Sequence, residues 1–144
     1  MAETAVSKII FELVTPTLLA VSEEVDMVVV PGVEGDFGVL RGHTPLLTTI
    51  RPGVVDIYVS EEVVKSLFIE GGFADVTGEN CTVVASKATD VEELQSELCN
   101  QRLSNAIEQL ESDSEGIDKG LKRELEIAEA MVFSQKNGKN RPVA

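Results

Sequence analysis

The sequence predicts an α+β fold in which an N-terminal antiparallel β-sandwich is followed by a C-terminal two-helix hairpin. Up to about Ala88, short apolar segments alternate with turn residues, which is typical of an antiparallel sandwich or barrel. From Thr89 onward, apolar residues recur at helical spacing in two consecutive stretches. Hydrophobic residues make up 43% of the 144 residues, which is enough for a packed core.

Five segments of the first part have the composition of β-strands. They are residues 8–14, 25–30, 54–59, 63–69 and 81–85. Segment 54–59 alternates most clearly, because Val55, Ile57 and Val59 share one face of a strand. Turn-forming residues at 60–62 and 77–80 separate neighbouring strands. No helical period interrupts the strands, which argues against βαβ units. Residues 1–88 are therefore predicted to form the sandwich, which would be a docking domain.

The segment 30–53 is the richest in glycine and proline, with five Gly, three Pro and the only His. A phosphate-binding loop would need a Lys-Ser/Thr pair and a helix after the glycines, and this segment has neither. Its turns instead predict a rigid loop. Because the loop carries Asp36, Phe37, Val39 and Leu40, we predict that it is a docking edge for a partner.

His43 and the two cysteines are the residues whose side chains are best suited to catalysis or metal binding. His43 could act as a general base, but no Ser or Cys nucleophile signature and no orienting acid accompany it. We therefore interpret His43 as structural or interfacial. Cys81 falls in a strand pattern and Cys99 in a helical pattern, and we predict that both are reduced packing residues. Neither a metal site nor a cofactor is predicted.

Composition and charge limit the choice of partners. The formal net charge of -13 makes nucleic acid and anionic lipid poor partners, because both repel an acidic surface. The first ten residues do not resemble an export signal. No apolar run is long enough to cross a membrane, so contact with a membrane is expected only through a larger complex.

Residues 89–135 are predicted to form an αα-hairpin. Thr89-Asp90-Val91-Glu92 has the form of a capping box for the first helix, and the polar residues 111–116 separate two amphipathic stripes. The residues expected to pack the hairpin are Leu94, Leu98, Leu103, Ile107, Ile117, Leu121, Leu125 and Val132. Residues 136–144 contain three basic residues and no acid, and they are predicted to be a basic flexible tail.

Residues 31–47, which read PGVEGDFGVLRGHTPLL, resemble the signature of the epsilon subunit of bacterial F-type ATP synthase. The family usually has Pro-Gly-His-Ala-Pro-Leu where residues 41–46 of this chain read Arg-Gly-His-Thr-Pro-Leu. Residues 51–53 and 71–73 also resemble family elements, as does the change from strands to helices near Ala88. The resemblance covers nearly the whole chain and is most specific between residues 30 and 53.

The resemblance implies a non-catalytic rotor subunit in the central stalk of a proton-translocating ATP synthase. The sandwich would bind the gamma subunit and rest on the ring of c subunits. The chain would lie, as a peripheral subunit, on the cytoplasmic face of the bacterial inner membrane. The implied docking residues are Glu34, Asp36, Phe37, Val39, Leu40, His43, Thr44 and Pro45.

The hairpin is expected to be regulatory, because in this family it can fold onto the sandwich or extend to the catalytic alpha/beta head. Residues 89–135 hold 4 Lys/Arg and 12 Asp/Glu. Repulsion from the acidic segment that family members meet on the head therefore predicts a compact hairpin and weak inhibition of ATP hydrolysis. Family members that bind ATP have an Arg where this chain has Glu93, so we predict no ATP binding.

Two other classes of function remain open from the sequence. The first is a β-sandwich ligand-binding module, for instance for carbohydrate, although the absence of Trp counts against stacking on sugars. The second is a small hydrolase that uses His43, although the missing nucleophile and acid count against it.

Overall fold

The computed structural model describes residues 8–113, 116 and 118–137, with residues 18–20 described by their backbone alone. Ile117 lies outside the described residues. So do residues 138–144, which make up most of the predicted tail. The strands are β1 Ile9–Thr15, β2 Leu18–Val25, β3 Met27–Gly32, β4 Gly35–Val39, β5 Leu46–Ile50, β6 Gly53–Val59, β7 Glu62–Ile69, β8 Gly72–Val76, β9 Asn80–Ala85 and β10 Ala88–Asp90. A 3₁₀ turn, Val91–Glu93, precedes the helices α1, Ser96–Ser112, and α2, Lys119–Asn137.

The predicted fold class is confirmed. The strands form one hydrogen-bonded sheet in the order β10-β7-β6-β3-β5-β8-β9-β1-β2, and β4 pairs with β3. Buried side chains from distant parts of this order, such as Val25 on β2 and Ile57 on β6, belong to one core. The sheet therefore curls into the two facing layers of a sandwich. One detail differs from the prediction, because β1 pairs with β9 in parallel while the other pairings are antiparallel.

Both predicted turns are confirmed, and each is stabilised locally. Ser60 and Glu61 have φ angles of 53° and 67°, and the flanking residues pair across β6 and β7. Two consecutive positive φ angles are the mark of a type I′ hairpin turn. In the turn between β8 and β9, the Thr77 hydroxyl accepts hydrogen bonds from the backbone N–H groups of Glu79 and Asn80, at 3.3 and 3.0 Å.

The segment 30–53 is less loop-like than its composition predicts, because most of it is paired. β4 pairs with β3 over five residues, and β5 pairs with β8 over another five. Strands β2, β8 and β10 were also missed. A short, glycine-containing strand such as β4 has weak intrinsic preference for extended structure, and its neighbour β3 supplies the hydrogen bonds that define it.

The first helix begins later than the capping-box prediction requires. Thr89 belongs to β10 and pairs with Phe68 on β7, so it cannot serve as the cap. Asp90 takes that role instead, because its carboxylate accepts a hydrogen bond from the N–H of Glu92 at 2.9 Å. The cap starts only the 3₁₀ turn, and α1 begins at Ser96.

The hairpin packs on the outer side of β6 and β7, where Val54 and Phe68 are buried beneath it. Part of the predicted packing set is wrong, since Leu98 and Ile107 are 58% and 42% exposed. The side chains of α1 and α2 that are buried are Cys99, Ala106, Ile127, Ala128, Met131 and Ser134. Successive residues of a helix point about 100° apart. Leu98 and Ile107 are adjacent in sequence to the buried Cys99 and Ala106, so their side chains point away from the interface.

The other predicted packing residues take intermediate positions. Leu94 and Val132 are partly buried and pack against the cluster beneath the hairpin. Leu103, Leu121 and Leu125 are also only partly buried. No helix among the described residues is both long enough and apolar enough to span a membrane.

Candidate docking surfaces

The eight predicted docking residues lie on two consecutive stretches of chain. The first is the β3–β4 hairpin, with residues 33 and 34 at its tip between the paired Gly32 and Gly35. The second is the loop of residues 40–45 that leads into β5. The exposed members are Glu34, Leu40, Thr44 and Pro45, and the partly buried ones are Asp36, Phe37 and His43. Residues 33–37 and 40–45 are together called the docking edge below.

Val39 is not available to a partner, which corrects its prediction as a docking residue. Its side chain is fully buried in the sandwich core. Val39 pairs with Val28 of β3, so both side chains point to the same side of the sheet. Val39 thus occupies an inward-facing position of β4, and the docking surface must be formed by other residues of this stretch.

The loop of residues 40–45 is fixed to the rest of the sandwich. The N–H of Gly42 donates to the carbonyl oxygen of Gly78 at 2.7 Å, and Gly42 has a φ angle of 88°, which glycine adopts readily. The His43 ring donates from Nδ1 to the carbonyl oxygen of Thr44 at 2.6 Å. It also lies 6.4 Å, centre to centre, from the Phe37 ring. This contact joins the two stretches of the docking edge.

Asp36 is engaged within the chain. Arg51 donates from Nη2 to its carboxylate and from Nη1 to the carbonyl oxygen of Gly32. The side chain of Asp36 is 21% exposed and that of Arg51 is 39% exposed. Asp36 was predicted to be a docking residue, but its carboxylate is already paired with a cation of the same chain.

A second surface, which the sequence did not reveal, crosses the outer face of the sandwich. Phe73 on β8 pairs with Val84 on β9, which in turn pairs with Val14 on β1, so the three side chains form a row. Phe73 is 44% exposed, and Leu47 on the neighbouring strand β5 is 71% exposed. We call this row with Leu47 the outer apolar face. Its signal in the sequence is the alternation in β8 that places an aromatic residue outward.

A bridge of three charged residues links the hairpin to the sandwich. Arg102 on α1 donates to both carboxylate oxygens of Glu124 on α2, at 2.7 and 2.9 Å. It also donates to both oxygens of Glu70, which follows β7, at 3.0 Å each. Hydrogen bonds from Arg102 lower the pKa of Glu124, and the hydrogen bonds to Glu124 and Glu70 raise the pKa of Arg102.

The comparisons with known proteins agree on one family. A family model of the ATP synthase delta/epsilon chain β-sandwich domain matches residues 8–91. The ATP synthase epsilon chain of Paramagnetospirillum magneticum is 50% identical over 126 residues, which cover 87% of this chain and 95% of that protein. The epsilon chain of Rhodospirillum rubrum is 44% identical over 137 residues, covering 94% and 99%. The chain belongs to the ATP synthase epsilon-chain family.

Two solved ATP synthase structures contain chains with a fold similar to that of this chain. A chain of the Euglena gracilis mitochondrial ATP synthase, solved as OSCP/F1/c-ring, matches with a TM-score of 0.78 and 25% identity, covering 89% of this chain and 81% of that one. A chain of the Tetrahymena thermophila mitochondrial enzyme matches with a TM-score of 0.61 and 15% identity, which supports the fold alone. This member of the epsilon-chain family is a rotor-stalk subunit of an ATP synthase.

The two cysteines occupy different parts of this epsilon-chain fold. Cys81 on β9 is fully buried in the sandwich core, and burial raises its pKa to about 12. Cys99 on α1 is buried beneath the hairpin, and burial raises its pKa as well. Both are free thiols, as predicted, and neither is exposed.

Proposed function

We propose that this chain is a non-catalytic rotor subunit that joins the gamma subunit to the ring of c subunits at the cytoplasmic face of the bacterial inner membrane. The single observation that carries the proposal is the presence of two exposed surfaces on one rigid sandwich. A subunit that transmits rotation must hold two neighbours at once, and each surface is suited to one of them.

The outer apolar face supports an assignment to the gamma subunit. Leu47 and Phe73 expose apolar side chains on paired strands, and exposed apolar groups of this kind gain free energy when a partner removes them from water. Strands hold these side chains at fixed spacing, so a partner surface of matching shape would meet little entropic cost.

The docking edge supports an assignment to the c ring. Its exposed residues Glu34, Leu40, Thr44 and Pro45 combine charge, apolar surface and polar groups, and the loop is anchored to the β8–β9 turn through Gly42. An anchored edge of this composition can grip the polar loops of a ring without having to fold on contact.

The hairpin is proposed to be regulatory and to rest in the compact position. Its α1 and α2 bury Cys99, Ile127 and Met131 against Val54 and Phe68 of the sandwich. Together with the excess of acidic residues in the hairpin, this packing favours the compact form over an extended one that would reach the catalytic alpha/beta head. Inhibition of ATP hydrolysis is therefore expected to be weak.

The proposal is tested by binding to a purified complex of gamma and the c ring. Leu47→Glu should weaken binding about tenfold or more, because it places a charge in the apolar contact. Leu40→Glu should act similarly at the docking edge. Val64→Glu is the matched control, since Val64 is also an exposed apolar residue, at 56%, but lies on β7, which among the described strands pairs only with β6 and β10.

Two results would count against the proposal. If the unchanged chain does not bind the gamma–c-ring complex, it is not the joining subunit. If Val64→Glu weakens binding as much as Leu47→Glu, the outer apolar face is not the gamma contact. Hydrolysis of ATP by the purified chain alone would contradict the non-catalytic role.

A further inference from the structure

Arg51 connects the end of β3, the strand β4 and the end of β5, next to the docking edge. Its N–H donates to the carbonyl oxygen of Pro31 at 2.9 Å, and its guanidinium donates to the carbonyl oxygen of Gly32 and to the carboxylate of Asp36. Arg51 follows β5, whereas Gly32 ends β3 and Asp36 lies in β4. One side chain therefore fixes the β3–β4 hairpin relative to the strand beside it.

Contacts continue from this arginine to the other stretch of the docking edge. The Phe37 ring packs on Gly32 so closely that a Cβ on this glycine would lie 2.9 Å from the ring. The Phe37 ring also lies beside the ring of His43, and the two ring centres are 6.4 Å apart. The position of Gly32, which Arg51 holds through its carbonyl oxygen, thus influences the position of His43.

We propose that Arg51 is the positioning residue of the docking edge and that Asp36 acts through Arg51, not through a cation of the partner. This inference rests on the proposed function. Their opposite charges offset each other within the chain, so a partner would have to displace Arg51 before it could use Asp36. Exposed Glu34 at the hairpin tip is left as the acidic group that a partner meets directly.

The charge swap between these two residues separates the inference from a direct contact. Asp36→Arg and Arg51→Asp should each weaken binding to the gamma–c-ring complex about tenfold, because each brings like charges together. The double variant should return binding to within about threefold of the unchanged chain, since coupled residues do not act additively. A direct contact between Asp36 and the partner predicts a double variant as weak as Asp36→Arg.

A milder pair of variants keeps the test independent of folding. In Asp36→Asn, the amide oxygen can still accept from Arg51, so binding and its dependence on salt should stay close to those of the unchanged chain. Glu34→Gln should reduce the salt dependence, because Glu34 would lose a charge that the partner meets across solvent. If Glu34→Gln leaves the salt dependence unchanged, Glu34 is not the acidic group that the partner meets directly.

The outcomes distinguish this inference from the function on which it rests. The inference would be overturned, and the proposed function left intact, if the unchanged chain binds normally but the double variant shows no rescue. A lower salt dependence of binding in Asp36→Asn would have the same meaning. No binding by the unchanged chain would overturn the proposed function and this inference with it. Rescue by the double variant, with altered salt dependence only in Glu34→Gln, is the result we expect.

Discussion

Replacing Arg102 by Leu should release the hairpin from the sandwich without unfolding the sandwich. The guanidinium contributes four hydrogen bonds to the bridge, two to Glu70 on the sandwich and two to Glu124 on α2. In the variant, the two carboxylates would face each other with no cation between them. Because Glu70 belongs to the sandwich and Glu124 to the hairpin, this repulsion would act directly across the interface.

The magnitude follows from how far the bridge is buried. The side chains of Arg102, Glu70 and Glu124 are 27%, 10% and 35% exposed. Breaking a fully buried pair costs about 3–5 kcal/mol, whereas an exposed pair contributes about 0–1 kcal/mol. The intermediate burial of this bridge gives a loss of about 2 kcal/mol in the free energy of docking. That loss would raise the population of the released hairpin about 30-fold.

Cys99 offers a direct assay for release. It is buried between the hairpin and the sandwich, so a thiol reagent should reach it only when the hairpin leaves. We expect its labelling rate to rise about 30-fold in Arg102→Leu when labelling is limited by the released population. The variant Cys99→Ala reports the contribution of Cys81, which lies in the sandwich core. Lys122→Leu, an equal loss of charge at an exposed position of α2, is the matched control.

One result would refute this reasoning. If Arg102→Leu labels within about twofold of the unchanged chain, as Lys122→Leu should, the bridge does not hold the hairpin. The apolar contacts beneath the hairpin would then be sufficient, and Glu70→Gln should likewise have no effect.

Three further outcomes follow from particular residues. Because the pKa of Glu124 is lowered from its usual 4.5 by hydrogen bonds from Arg102 of the other helix, its contribution to the contact between α1 and α2 is present above pH 4.5 and is lost as the pH falls through the folded-state value. Acid should therefore lower the melting temperature, and less so in Glu124→Gln. Gly72→Ala should lower the free energy of unfolding by about 3 kcal/mol or more, since its Cβ would lie 1.9 Å from a β9 carbonyl oxygen. A Cβ at Gly78 would meet nothing within 4 Å, so Gly78→Ala should leave the thermal melting nearly unchanged. Glu61→Gly should raise stability by about 0.5 kcal/mol by relieving a φ of 67°; a loss as large as that in the neighbouring strand variant Glu62→Gly would contradict it.

The parts of the fold that are determined by residues close together along the chain could be predicted from the sequence. The alternation in β6 and β9 and the turns at Ser60 and Thr77 are local, so their residues alone are sufficient to define them. Strands β4 and β5 were missed because their pairing partners, and not their composition, make them extended. The parallel pairing of β1 with β9 joins residues about seventy positions apart along the chain, which no local pattern reveals.

The candidate site shows the same division. The docking edge was located from its glycines and prolines, but the side on which Val39 lies depends on the pairing of β4 with β3. The partners of Asp36 and Arg102 are 15 to 32 residues away, so their ion pairs could not be inferred from spacing. On α1, Leu98 and Ile107 were predicted to pack but are exposed, because the buried positions are the neighbouring Cys99 and Ala106.

The most direct test of the central claim is ATP-driven proton pumping by membrane vesicles whose ATP synthase lacks this subunit. Adding the full chain should restore acidification of the vesicles, and Leu47→Glu should restore it poorly while Val64→Glu restores it fully. Residues 1–90, which retain every strand through Asp90, should also restore pumping, because both docking surfaces lie on the sandwich. Full pumping before any chain is added, or no restoration by the unchanged chain, would contradict the claim that this subunit joins gamma to the c ring.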